Sequence, residues 1–263
     1  MPRAIDRHPV AGSSRQSYLT SIRAKLADGA VTTVHVARYE LARTQLVIRR
    51  LPGLAQLESW CAEAAIEEAL VGGFYVRNPA DAQHSGSPLG ELWLDGERQL
   101  SLAFSEPWGR TRACVHSHDN TVRIARRDGL PSSPDGDLLQ AGPLIVAEGR
   151  VVTGDDEGFS AGADQFDSDI TIGRHPRAAL GMNDSTLIAV ACDGRAPDDA
   201  GLTISELAQL LKELGARDAL NLDGGGSTSL VCGGRLANTP RESHGITVAG
   251  GRAIATAFVF APR

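Results

Sequence analysis

A chain of 263 residues with 42% hydrophobic and 22% charged side chains carries enough apolar surface for a packed core and too much of it for a disordered chain. Its net charge of −6 excludes a general nucleic-acid binder, which needs clustered cations against the phosphate backbone. Lysine occurs only at Lys25 and Lys212, so arginine supplies nearly all the positive charge, a bias toward bidentate contacts with phosphate or carboxylate.

Residues 1–30 are polar and weakly periodic and read as an extension of the domain, with a short helix expected over Ser17 to Leu26. This stretch carries Arg3, Arg7, Arg15 and Arg23 but no apolar core of a signal peptide. No other stretch is apolar enough to span a bilayer, so the expectation is a cytoplasmic protein without a membrane partner. The folded domain is expected over 31–263. It opens with Val31 to Val36 and Leu46 to Ile48, rich in β-branched residues and read as paired strands. Leu57 to Leu70 has helical spacing through Leu57, Trp60, Cys61, Ala64 and Ala65, and runs into Val71-Gly72-Gly73-Phe74-Tyr75. A loop is expected over Asn78 to Ser87, then a strand at Leu92-Trp93-Leu94 entering an Asp95-Gly96 hairpin turn.

His116 and His118 alternate on a strand with Asp119 nearby. No third ligand is evident, so they read as solvent-facing rather than as a metal pair. Cys61, Cys114, Cys192 and Cys232 are far apart and form no C-x-x-C pair, and read as buried thiols. Leu138 to Val152 reads as strand, Ala141-Gly142-Pro143 turn, strand, followed by a mobile surface loop from Gly154 to Asp169 that borders a site. Ala178 to Ala191 is a hairpin around Asn183-Asp184. Thr203 to Leu214 is a helix with a Thr203/Glu206 capping box and Gly215 as its stop, and Glu206 is a cap before it is a catalyst. The last strand is Ala253 to Phe260. Strands dominate, so the fold class is α+β: a single domain with a mixed, largely antiparallel β-sheet and few helices.

The chemistry concentrates in Leu220-Asn221-Leu222-Asp223-Gly224-Gly225-Gly226-Ser227-Thr228. An apolar strand stops at a carboxylate, followed by three glycines and two hydroxyls, with Ser227 to Cys232 read as the strand leaving the turn. Three glycines give up packing and backbone entropy, which is worthwhile where the chain needs unusual torsions or close approach to its backbone. Carboxylate, bare N–H groups and hydroxyls in one small volume suit a sugar or an anion. A Walker phosphate loop is excluded, because no lysine follows the glycines.

From Arg177 onward the ordered segments resemble the phosphodiester glycosidase family. They are Arg177-Ala-Ala-Leu-Gly181, Asp193-Gly194-Arg195, Gly201-Leu-Thr203 with Glu206-Leu-Ala208, Leu214-Gly215-Ala216, Ala219 to Ser227, Asn238 with Pro240, and Arg252. Upstream, Gly72-Gly73-Phe74-Tyr75, Ser87-Pro88-Leu89-Gly90 and Gly142-Pro143 extend the likeness to roughly residues 31–262. Val71 stands where the family usually has asparagine, a position at which one polar contact is lost or changed.

The resemblance implies cleavage of the C1–O bond of a sugar-1-phosphodiester, with a sugar such as N-acetylglucosamine, in polysaccharide or natural-product metabolism. No cofactor or metal is implied, and the partner is the small-molecule diester. The leaving group is a phosphate, already a weak base, so a general acid is less necessary than in other glycosidases. Asp223 is then the carboxylate at the oxocarbenium-like centre, as nucleophile or as base for water. Arg177 and Arg252 are candidates to hold the phosphate, with the N–H groups of Gly224, Gly225 and Gly226 and the hydroxyls of Ser227 and Thr228. Gly73, Phe74 and Asn238 would line the sugar pocket, with Gly72 and Gly142 beside them, although Phe74 reads as core before it reads as pocket. Two alternatives stay open: a sugar-phosphate binding protein that kept the fold, and a hydrolase that cuts the P–O bond.

Overall fold

The computed structural model of the protein describes residues 7–9, 17–77, 83–106, 108–152 and 173–263. In chain order the first elements are β1 (Arg7–Pro9), β2 (Ser17–Lys25), β3 (Val31–Glu40), β4 (Thr44–Ala55), α1 (Leu57–Glu63), β5 (Ala69–Val71), β6 (Leu92–Leu94) and β7 (Glu97–Arg98). Next come α2 (Trp108–Thr111), β8 (Ala113–His118), β9 (Thr121–Arg126), β10 (Asp137–Gln140), β11 (Leu144–Ala147) and β12 (Arg150–Val151). The chain closes with β13 (Arg177–Met182), β14 (Thr186–Cys192), α3 (Ile204–Glu213), β15 (Asp218–Asn221), β16 (Leu230–Cys232), β17 (Arg235–Leu236) and β18 (Ile254–Pro262).

Three sheets result: β1-β2-β3-β14-β13-β15-β11-β12, β7-β6-β10-β8-β9, and β17-β16-β5-β18-β4. Each strand pairing among the described residues is antiparallel, and the parallel contact is an isolated Leu89–Leu102 bridge. The fold is therefore α+β, with antiparallel sheets dominating a few helices. Strand periodicity explains how the layers pack. In β3, Val34 and Val36 face Ile204, Leu207, Ala208 and Leu211 of α3, while Ala37 and Tyr39 face the inter-sheet core with Ile48, Leu70, Leu180, Leu222 and Phe258. Because both faces of this sheet are covered, Ala178–Leu180 and Leu187–Cys192 are buried without interruption.

Local signals set several elements. Thr203 caps α3 through a complete capping box with Glu206, and Gly215 follows with φ +89°. Glu206 also pairs with Arg174 at 2.6 Å, so it serves as a structural carboxylate. The hairpin β13–β14 turns at Asn183, whose Oδ1 accepts from Ser185 and Thr186 N–H.

Other expectations are corrected. Ser17–Lys25 is a strand paired with β3, not a helix, so the sheet begins before residue 31. Strands β3 and β4 do not pair, since β3 bonds to β2 and β14 while β4 bonds to β18. Helix α1 ends at Glu63, because Ala65 turns left-handed at φ +53°. The strand after the glycine turn starts at Leu230 rather than Ser227. Cys61, Cys114 and Cys192 are buried and Cys232 half-buried, all as free thiols. The loop expected over Gly154–Asp169 lies outside the described residues, as do residues 78–82 of the upstream loop.

Candidate active site

The site forms at a seam where strands of two sheets end side by side. Beyond β15, Leu222 N–H donates to Ala178 O (2.9 Å), and Asp223 N–H reaches across to Gly72 O (3.2 Å), one residue past β5. Gly72 N–H donates to Thr256 O of β18 (2.9 Å), and Gly73 N–H to Thr256 Oγ1 (3.0 Å). The approach is close enough that a Cβ on Gly72 would lie 2.5 Å from Thr256 Oγ1 and 2.8 Å from its carbonyl, so glycine is a steric requirement here. Asp223 is thereby placed at the junction of the eight-stranded sheet with the sheet containing β5 and β18.

The glycine turn itself is a single helical turn over Gly225–Ser227, entered at Gly225 with φ +61°. Its N–H groups are used internally: Gly224 donates to Asp223 Oδ1 (2.9 Å), Gly225 to Pro176 O (2.9 Å), Ser227 to Gly224 O (3.2 Å) and Thr228 to Gly225 O (3.1 Å). The expected cradle of free amides at Gly224 and Gly225 is thus corrected: these donors hold the turn and Asp223, not a ligand.

The half-buried Asp223 carboxylate has a defined electrostatic setting. Burial pushes its pKa up, and the Ser227 hydroxyl, the Arg252 guanidinium, the Gly224 N–H and Arg77 offset only part of that. Arg252 donates from Nη1 to Ser227 Oγ (3.3 Å), from Nε to Glu242 Oε1 (2.6 Å) and from Nη2 to Glu242 Oε2. Burial opposes the Arg252 charge, but the Glu242 carboxylate outweighs it and holds the guanidinium protonated; Arg252 in turn keeps Glu242 ionised. Tyr75 donates its hydroxyl to Ala253 O (2.8 Å), and burial with the nearby Asp223 charge keeps it neutral. Glu242 rides on a loop anchored by Asp193, whose Oδ1 accepts from Thr239 N–H (2.7 Å) and whose Oδ2 meets His35 Nε2 (3.2 Å).

The structure brings Asp223, Gly72, Gly73, Gly224, Gly225, Gly226, Ser227 and Arg252 together, and gives other expected residues different work. Arg177 is 2% exposed and donates to the carbonyls of Leu202 (2.8 Å) and Gly173 (2.9 Å), with burial lowering its pKa to about 10. The charges that act on its guanidinium are those of Arg195 and of Glu206 on α3. The Thr228 side chain is fully buried and its hydroxyl finds no partner among the described residues, so it cannot reach a ligand. Asn238 bridges Thr228 O (2.8 Å) and Leu230 N–H (3.0 Å), bracing the turn from behind. Phe74 is buried under the Arg112 guanidinium (5.8 Å), and Gly142 packs against the Asn221 carbonyl. Val71, the departure from the family pattern, points its side chain into the inter-sheet core.

Sequence reasoning missed Tyr75, Arg77, Arg195 and Glu242 as site residues. Tyr75 and Arg195 stood inside quoted motifs, so proximity to Gly72-Gly73 and to Asp193-Gly194 was the available signal. Arg195 is half-buried, with Nη1 close above Gly225 and donating to Arg241 O (3.1 Å). Among the described residues no three His, Cys, Asp or Glu side chains converge as a metal site.

Fold and site together define an α+β domain that presents a half-buried carboxylate beside guanidinium groups, an arrangement suited to an anionic substrate. The family model NAGPA, phosphodiester glycosidase, matches residues 62–261, and the chain belongs to that family. Among solved structures, the catalytic domain of zebrafish N-acetylglucosamine-1-phosphodiester α-N-acetylglucosaminidase, auto-inhibited by its pro-peptide, is similar at a TM-score of 0.70. That similarity has 19% identity and covers 98% of this chain and 88% of that one. A hypothetical protein from Synechocystis is similar at a TM-score of 0.66 and 18% identity, covering 100% and 64%. At these identities the likeness is one of fold. The SPbeta prophage-derived uncharacterized protein YomE of Bacillus subtilis (strain 168) is 36% identical over 66 residues, 25% of this chain and 10% of that protein's length.

Proposed function

We propose that the chain hydrolyses the C1–O bond of a sugar-1-phosphodiester, with an N-acetylglucosamine-like sugar, releasing free sugar and a phosphomonoester. The observation that carries this reading is the Asp223 carboxylate, half-buried, held by the Gly224 N–H, beside the Ser227 hydroxyl and within reach of the Arg252 and Arg77 charges. A carboxylate made more basic by burial suits attack on C1 or removal of a proton from water. As the C1–O bond breaks, its electron pair leaves on the phosphate oxygen, and the guanidinium groups stabilise that charge. Water supplies the hydroxyl to C1, and its remaining proton ends in the aqueous phase or on the phosphomonoester. Because the leaving phosphate is weakly basic, the site works without a second carboxylate acting as proton donor. The sugar in the name of the similar zebrafish enzyme supports the choice of N-acetylglucosamine.

The test is incubation with the methyl phosphodiester of N-acetylglucosamine 1-phosphate, with product analysis. The reading predicts N-acetylglucosamine and methyl phosphate. Sugar-1-phosphate and methanol would mean P–O cleavage, and binding without turnover would mean a non-catalytic protein; either result overturns it.

A further inference from the structure

We propose that Arg77 is the arm that grips the phosphate of the substrate, a specificity-determining residue outside the glycine turn; the proposal rests on the function inferred above. The other guanidinium groups around Asp223 are engaged within the protein. Arg252 spends Nε and Nη2 on Glu242 and Nη1 on Ser227. Arg195 donates to the Arg241 carbonyl and lies 3.4 Å from His175 Nδ1. Arg177 is buried on the carbonyls of Leu202 and Gly173. Arg77 is exposed and has no hydrogen-bond or ion-pair partner among the described residues, yet its charge reaches Asp223, Tyr75 and Glu242 alike.

Its position is fixed by backbone rather than chance. Tyr75, two residues before it, is tied to Ala253 O and bridged to Pro88, and Val76 exchanges hydrogen bonds with Ser87 and Gly86 (both 2.9 Å). The arm therefore projects from a pinned segment at the rim of the site, with its planar fork uncommitted. Charge balance points the same way. Asp223 and Glu242 are outnumbered by Arg77, Arg195 and Arg252, which leaves one positive charge uncompensated, the complement of a diester monoanion.

The experiment measures calorimetric binding of inorganic phosphate and of N-acetylglucosamine to wild type, Arg77→Ala and Arg77→Lys, alongside KM and kcat on the methyl phosphodiester. Loss of charge-assisted hydrogen bonds predicts phosphate binding weakened by roughly 10- to 100-fold in Arg77→Ala, with partial recovery in Arg77→Lys. N-acetylglucosamine binding stays unchanged, while KM for the diester rises and kcat/KM falls, because Arg77 meets both the bound diester and the charge on the leaving phosphate. The salt dependence of phosphate binding flattens in Arg77→Ala, as removal of an exposed charge requires. Phosphate affinity unaltered by Arg77→Ala, phosphate binding undetectable at millimolar concentration in wild type, or equal losses for sugar and phosphate would each overturn the proposal. Diester turnover with an unaltered KM in Arg77→Ala sinks Arg77 and leaves the glycosidase reading standing. Phosphate binding that depends on Arg77, in a protein that turns over no diester, does the reverse.

Discussion

Replacing Gly72 by alanine puts a methyl group where the structure has no room. The new Cβ would lie 2.5 Å from Thr256 Oγ1 and 2.8 Å from the Thr256 carbonyl carbon and oxygen. Two of these are backbone atoms of β18, which is paired on both sides, with β4 and β5, and cannot retreat alone. Overpacking of this kind costs about 1–3 kcal/mol. The displacement also strains the Gly72–Thr256, Gly73–Thr256 and Asp223–Gly72 hydrogen bonds, each worth about 1 kcal/mol net. A total of about 3–5 kcal/mol lowers the midpoint of thermal unfolding by roughly 10 °C in a chain of this size. Calorimetry or circular dichroism reads that shift, and an activity assay well below the new midpoint reads the displaced Asp223 as lost turnover. Gly226→Ala is the control: its Cβ would meet the Glu242 carboxylate at 2.8 Å, the far end of a half-exposed side chain. It is expected to unfold close to wild type. If Gly72→Ala unfolds with wild-type behaviour, or if Gly226→Ala is the more damaging of the two, the account of the seam is wrong.

Glu242→Gln removes the carboxylate that occupies the Arg252 fork, so phosphate binding strengthens by about 5-fold, a typical scale for one partly exposed ion pair; weakened binding in a calorimetric titration would contradict this. Asp223→Asn tests the burial of the carboxylate through stability. Because burial raises the folded-state pKa above its ordinary 3.8, the native protein holds the proton more tightly than the unfolded chain, and stability is lost as pH rises through the window above 3.8. Asp223→Asn escapes that loss, so it unfolds at a higher temperature than wild type at neutral pH, with the gap closing in acid. A gap of the opposite sign that widens with pH would refute it.

How much of this was legible in the sequence follows the range of the signals. Helix α3 is written locally, by Thr203, Glu206, Gly215 and an apolar stripe, and the Asp223 turn is written in four consecutive residues. Strand β2 was misread because Leu19, Ile22 and Leu26 stand at helical spacing. In the structure Leu19 packs into the inter-sheet core while Ile22 and Ala24 pack on the α3 side, on opposite faces of the strand. The parting of β3 from β4 has no local signal, since the partner of β4 is β18, some two hundred residues away. The same distance hides the site's charges. Arg77, Arg195 and Glu242 are ordinary surface types in sequence, and only the meeting of two sheets brings them near Asp223. Arg177 and Asn238 show the converse: side chains suited to ligands are used up satisfying the backbone carbonyls and amides of a buried frame.

The most direct test is hydrolysis of the methyl phosphodiester of N-acetylglucosamine 1-phosphate in water enriched in heavy oxygen, with wild type and Asp223→Asn, and mass analysis of both products. The account predicts label in the free sugar, none in the methyl phosphate, and turnover by Asp223→Asn reduced at least ~100-fold, the scale for loss of a catalytic acid or base. Label in the phosphate product, or turnover that survives in Asp223→Asn, would contradict it.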